Sequence, residues 1–191
     1  MRRLLKDIAE IQLGYQARTS LRPQPNGSHV IVQIRDIGID GVLRFDDAVR
    51  VVPERDPGRY ELRGDDVLFI ARGSRLGAAL VPEPPEPTLA CSLLYIVRPD
   101  PAVVLPAFLC WALNQPPVQA QVRRQAGGTG ILQIHRRAVE TLEVDVPSTE
   151  VQHRICALVA LQQRERQLCE AIRARRAMLV EAVCARAARG E

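Results

Sequence analysis

The side chains best suited to chemistry on a polyanion in this sequence are its arginines. Of the 26 basic residues, Lys6 is the sole lysine and all the others are arginine. The guanidinium is a planar fork that matches phosphate oxygens and guanine edges, although a GC-rich genome yields the same bias without any function. Position is more telling than number. Residues 101–139 contain Arg123, Arg124, Arg136 and Arg137 and no aspartate or glutamate, whereas residues 1–80 carry 13 basic against 11 acidic residues. A basic stretch free of acid is where a polyanion would settle, the plain alternative being a solvated helix end. Within it lies Gly127-Gly128-Thr129-Gly130-Ile131-Leu132-Gln133-Ile134, a loop whose glycines let backbone amides come close to phosphate. It lacks the lysine of a Walker loop, so it is not a nucleotide site of that type.

The groups that catalysis needs are not assembled. An acidic nuclease centre uses a lysine beside paired carboxylates, and Lys6 sits in a terminal segment without that spacing. His29, His135 and His153 are far apart, with no H-E-x-x-H pattern and no nucleophile placed as an evident triad. Cys91, Cys110, Cys156, Cys169 and Cys184 form an odd set with no C-x-x-C spacing, which argues against a disulfide framework or a zinc site and leaves them as buried small hydrophobes. Asn114-Gln115-Pro116-Pro117 resembles the N-P-P-Y loop of amino-methyltransferases only superficially, lacking the aromatic, and reads as a break between helices. No G-x-G strand-to-helix fingerprint for adenosylmethionine is present. The expectation is a non-catalytic chain with no cofactor and no metal of its own.

These candidate residues need a scaffold, and the composition supplies one. With 47% hydrophobic and 25% charged residues and a formal charge of +4, the chain is an ordinary globule. Asp7 and Glu10 interrupt any leader-like apolar run at the start, and no stretch of 18 apolar residues exists, so a soluble cytoplasmic protein is expected. Leu4–Leu13 reads as a short amphipathic segment closed by Gly14, followed by loop chemistry over Tyr15–Ser28. Strands are expected at His29–Ile34, Val67–Ala71 and Ala90–Val97, with turns at Asp40-Gly41 and Leu62–Asp66. Arg72-Gly73-Ser74-Arg75-Leu76-Gly77 reads as a basic loop, and the proline-rich Pro82–Pro87 as a surface excursion. Pro106 suits the first turn of a helix bearing Phe108, Leu109, Trp111, Ala112 and Leu113, and Pro117 opens a second helix to about Gln125.

The remainder is one helix. From Thr149 to Arg189 there is no proline or glycine, and Gly190 ends the run, giving roughly 40 residues and about 60 Å of helix. Thr149-Glu150-Val151-Gln152 has the capping-box form, with the Thr hydroxyl and Gln amide serving free backbone groups. Counting by sevens puts Val151, Leu158, Glu165, Ile172 and Leu179 in one column, and Arg154, Leu161, Leu168, Arg175 and Ala182 in the next. Ile155, Cys169 and Val183 widen this seam, and Glu165 and Arg175 could fix its register. Because about 60 Å exceeds the diameter of a globule of this size, most of the helix must meet something else. The division is therefore a mixed α/β domain over residues 1–147, with a twisted sheet and short helices, and a long coiled-coil-forming helix over 148–191.

Taken in order, the pieces resemble one half of a type I restriction-modification specificity subunit, one target recognition domain followed by one helical spacer. Leu5-Lys6-Asp7-Ile8 with Gly14 and Arg18 is similar to the family's domain start, Lys6 standing where glycine is common. Gln33-Ile34-Arg35-Asp36-Ile37 with Gly41, and Gly64-Asp65-Asp66-Val67-Leu68-Phe69 with Arg72-Gly73-Ser74, resemble its first strand and its G-D-x-L strand and loop. Gly128-Thr129-Gly130 through Ile134, Leu142, Val144, Val146-Pro147 and Glu150-x-Gln152-x-x-Ile155 resemble the passage into the spacer. Many family members carry two domains and two helices, whereas this sequence has one of each. The resemblance implies a chain that binds double-stranded DNA and docks a methyltransferase subunit, which supplies the adenosylmethionine chemistry, with a translocating nuclease subunit in the full complex.

On that reading Arg18, Arg72, Arg75 and Gln133 are candidates for base edges, and Arg123, Arg124, Thr129 and Arg136 join them as DNA-binding residues. Val151, Ile155, Leu158, Leu161, Leu168, Ile172 and Leu179 are the candidate dimerisation residues. Two chains pairing antiparallel along the helix would hold two domains no more than about 60 Å, or roughly 17 base pairs, apart, and reading one face of the duplex favours about 10 base pairs between half-sites. The target would be an interrupted palindrome. The rival expectation is a coiled-coil scaffold protein that does not read DNA.

Overall fold

Short β-branched and apolar runs separated by turn residues give strands, and the proline-opened runs give helices. The computed structural model describes residues 1–17, 22–38, 40–128 and 130–190. In chain order the strands and helices are β1 (Arg2–Leu4), β2 (Ala9–Leu13), β3 (His29–Val32), β4 (Val49–Val51), β5 (Val67–Ile70), β6 (Arg72–Gly73), β7 (Ala78–Leu80), β8 (Thr88–Ala90), β9 (Leu94–Pro99), α1 (Pro106–Leu113), α2 (Pro116–Gln125), β10 (Leu132–Gln133), α3 (Arg136–Glu140), β11 (Glu143–Asp145) and α4 (Thr149–Ala188). The mixed α/β class and the long terminal helix agree with the sequence. Residues Met1–His153 form one compact unit and Arg154–Glu191 a second.

The centre of the first unit is an antiparallel sheet in the order β2-β9-β5-β7. Val67, Leu68, Phe69 and Ile70 are all buried, as a strand without alternating polarity requires, because both of its faces are covered. Helix α1 packs over β5, β7 and β9, placing Phe108 and Leu109 in the core. A second sheet, β4-β3-β8, pairs β3 with β8 in parallel and β3 with β4 antiparallel. Its core gathers Tyr15, Ile31, Val51 and Leu89. The Tyr15 hydroxyl accepts from the backbone amides of Glu54 at 2.8 Å and Arg55 at 3.1 Å. Gly14 precedes that tyrosine where the chain runs past the carbonyls of Ala90 and Cys91. A Cβ at Gly14 would lie 2.2 Å from the Cys91 oxygen, so no larger residue fits.

The Leu4–Leu13 segment is not one amphipathic element: it is the end of β1, a 3-10 turn at Leu5–Asp7, and β2. Strand β1 pairs antiparallel with β11, Arg3 opposite Val144, and the terminal ammonium of Met1 donates to the Val146 carbonyl at 2.9 Å. Pairing across so long a separation leaves no local signature. The Ala90–Val97 strand is two strands, since a turn at 91–93 separates β8 from β9 and sends them into different sheets. Arg72–Gly73 is a short strand rather than loop.

The buried Asp66 pairs with the half-buried Arg98 at 3.1 Å. Desolvation pushes the Asp66 carboxyl above its usual range, while the Arg63 amide and the Arg98 guanidinium pull it back. Asn114, in the break between α1 and α2, acts as a substitute strand: its amide donates to the Ala78 carbonyl and its oxygen accepts the Ala78 amide, both at 2.9 Å. This satisfies the backbone of Ala78 at the edge of the sheet.

The cysteines divide. Burial pushes the Cys110 thiol up to about 12 and raises that of Cys91, as expected of small hydrophobes. Cys169 and Cys184 are exposed and Cys91, Cys110 and Cys156 half-buried, correcting the expectation that all five are buried. Among the described residues no helix is long and apolar enough to cross a membrane.

Candidate nucleic-acid interface

The glycine loop and the basic loop, some sixty positions apart in sequence, meet in one ladder. Strand β10 pairs antiparallel with β6, with Gln133 opposite Arg72 and Leu132 opposite Gly73. On its other side Gln133 exchanges two backbone hydrogen bonds with Gly127, each 2.9 Å. Gly127, Gln133 and Arg72 thus lie side by side across about 10 Å, two strand spacings. Next to this pairing Gly128 lies close against the backbone of Ile131. It holds φ at +106°, and a Cβ there would come within 2.2 Å of the Ile131 carbonyl oxygen. Only glycine meets both demands.

Beneath the ladder Ile134 is buried, its amide donating to Ala71 at 3.0 Å and its carbonyl accepting from the Tyr95 hydroxyl at 3.1 Å. Burial raises the Tyr95 phenol, which keeps it a protonated donor. This anchor fixes where β10 ends and α3 begins. Arg123 and Arg124 occupy the last turn of α2, four and three positions before Gly127, where cations also complement the helix dipole.

Arg72, Arg123, Arg124, Gln133, Arg136 and Arg137 are all exposed. The guanidiniums of Arg72, Arg123, Arg124 and Arg137 have no hydrogen-bond or ion-pair partner among the described residues. Arg136 is exposed but engaged, its Nε donating to Glu140 at 2.7 Å. Arg75 serves the fold instead. Half-buried, it donates to the Ile37 carbonyl at 2.7 Å and to that of Gly38, tying the end of the basic loop to the 37–38 turn. Arg18 and Thr129 lie outside the described residues.

A cavity of about 230 Å³ beside that turn is lined by Arg35, Asp36, Gly38, Arg44, Asp46 and Asp47. Its charges offset one another, and Arg44 pairs with Asp40 at 2.6 Å, so it lacks the single sign a polyanion requires.

Gln152 is the residue that sequence reasoning misplaced. Its side chain is not spent on a capping box: its oxygen accepts the Leu105 amide at 2.8 Å, and its nitrogen donates to Pro147 at 3.0 Å and Val103 at 3.3 Å. It is the only buried residue of α4 among those described. Leu105 precedes α1 and donates an amide that α1 itself cannot satisfy, and this long-range demand outweighs the local cap. Of the candidate dimerisation residues, Ile155 is half-buried and Val151, Leu158, Leu161, Leu168, Ile172 and Leu179 are exposed. The last five of these have 48–68% of their surface open.

No protein-family model matches the sequence, and no curated protein does. Solved structures do. A type I restriction-modification S subunit from M. genitalium superposes with a TM-score of 0.62 at 16% identity, covering 89% of this chain and 41% of that one. The fold is that of a type I specificity subunit. The HsdS subunit from Thermoanaerobacter tengcongensis matches with a TM-score of 0.64 at 21% identity, over 88% of this chain and 43% of that one. A chain from a type I restriction-modification system, studied for complex assembly and conformational transition, matches at 0.61 and 18% identity, over 91% and 40%. This chain therefore spans about two fifths of the length of the chains it matches.

Proposed function

We propose that this chain recognises a short half-site in double-stranded DNA on behalf of a methyltransferase partner and performs no catalysis itself. The observation that carries this is the β6–β10 ladder, which brings Arg72 beside Gln133 and the acid-free segment with Arg123, Arg124 and Arg137. Guanidiniums without internal partners position a backbone by phosphate contact, and Arg72 and Gln133, on adjacent strands, are suited to base edges. The specificity-subunit fold supports the same reading by analogy of architecture. Adenosylmethionine belongs to the partner subunit, which docks near Val146–Ile155, with a nuclease subunit joining the larger complex. Because a single domain reads few base pairs, each supplying about 1–3 kcal/mol of discrimination, two copies act together through the Arg154–Glu191 segment.

The test is a salt titration of DNA binding. Each phosphate contact contributes about 0.9 to the slope of log affinity against log salt. Replacing Arg123 and Arg124 together by Ala should flatten that slope by about 1–2 units, and Arg72→Ala should weaken binding and relax sequence preference. A wild-type chain indifferent to DNA at low salt would favour the scaffold reading, and an unchanged slope in the double variant would remove this face from the interface.

A further inference from the structure

Taking the two-copy reading above as its basis, we propose that α4 pairs with α4 of a second copy in one antiparallel register, locked by Glu165 of each chain against Arg175 of the other. The starting observation is how poorly these two charges are served within their own helix. The residues three and four positions from Glu165 are Leu161, Gln162, Leu168 and Cys169, and those around Arg175 are Ala171, Ile172, Met178 and Leu179. Neither has a charged neighbour at helical spacing, whereas Glu170 lies between Arg166 and Arg173. Both sit in the columns that hold the exposed Leu158, Leu161, Leu168, Ile172 and Leu179. A charge set in an apolar stripe without a local partner is costly unless the opposing helix supplies one.

An antiparallel pair builds each layer from one residue of each column, which limits the choices to steps of seven. In one of these, Glu165 faces Arg175 of the second copy, Leu168 faces Ile172, Leu161 faces Leu179 and Leu158 faces Ala182, with each contact repeated by symmetry. The two-fold axis then passes at Glu170, near the middle of Thr149–Ala188, so the helices overlap along nearly their whole length. Sliding by one heptad sets Glu165 against Leu168 and Arg175 against Leu158 in one direction. In the other it sets Glu165 against Ala182 and Arg175 against Ile172. Both slides bury unpaired charge and shorten the overlap. Parallel pairing places Glu165 on Glu165 and Arg175 on Arg175, which repel. The chosen register sets Arg154 opposite Arg186, but only in an end layer, where water screens the pair. The polar pair thus selects both direction and register.

The experiment uses the full chain, measured by light scattering and sedimentation at micromolar concentration, with circular dichroism to confirm intact helix. Glu165→Arg and Arg175→Glu should each weaken self-association on the order of 100-fold, because each creates two like-charge layers. Mixed one to one, the two variants should form a heterodimer, and the reciprocal double variant should recover wild-type association. A monomeric wild type contradicts the two-copy reading itself. A dimeric wild type whose single variants associate normally, or whose mixed variants fail to pair, overturns the register alone.

Discussion

The two compact units meet the same demand, to cover apolar surface and satisfy polar groups, in opposite ways. Residues Met1–His153 do it internally. Among the described residues every buried side-chain nitrogen and oxygen has a hydrogen-bond partner, and Tyr15, Phe69, Phe108 and their neighbours are closed from solvent. Among the described residues of Arg154–Glu191 none is buried, and Leu158, Leu161, Met178 and Leu179 each expose 64–68% of their surface. A helix of this length gains little from propensity alone, since most helical stability comes from packing an apolar face. The contrast teaches that the first unit closes its own core, whereas the second leaves its apolar side chains open, which on the two-copy reading proposed above a second chain would cover.

That comparison can be broken most directly on the helix. Changing Leu161 and Leu168 together to Glu places carboxylates in four layers of the proposed pair and should abolish association at micromolar concentration, a loss of at least about a thousandfold. The same variant should leave the denaturation midpoint of the first unit within error of wild type. A fall in that midpoint would mean the two regions are not independent in the way their burial implies. Gln152→Ala gives the converse, smaller effect. It strands the Leu105 amide and the Pro147 and Val103 carbonyls and should cost the first unit about 2–3 kcal/mol in urea unfolding, with the dimer constant unmoved. A neutral Gln152→Ala would show that its three hydrogen bonds are dispensable.

Local chemistry wrote much of this architecture where anyone can read it. Pro106 and Pro116-Pro117 open α1 and α2, the uninterrupted run to Arg189 gives α4, and Val67–Ile70 announces a strand covered on both faces. What stayed hidden depends on partners remote in sequence. The β1–β11 pair, the split of β8 from β9 into separate sheets, and the use of Asn114 to complete β7 all join segments that no local pattern links. The candidate site divides along the same line. The acid-free stretch with Arg123, Arg124 and the glycine loop was legible as composition, and Arg72 as part of a basic loop. Their meeting through the Gln133–Arg72 register was not, nor was the diversion of Arg75 to the Ile37 and Gly38 carbonyls. Gln152 shows the limit most plainly, because a capping-box pattern is local whereas the amide that claims its side chain lies 47 positions earlier.

The central claim is that an internally complete recognition domain and an externally completed helix together read a two-fold site. Selection of bound duplexes from a random double-stranded library by the full-length chain, at an ionic strength of about 0.15 M where non-specific binding is weakened, tests it in one measurement. The account predicts enrichment of two inverted copies of a short sequence separated by an unselected spacer, the half-site centres spaced near one helical turn, about 10 base pairs. Enrichment of a single asymmetric site, or no enrichment beyond the starting library, would contradict it.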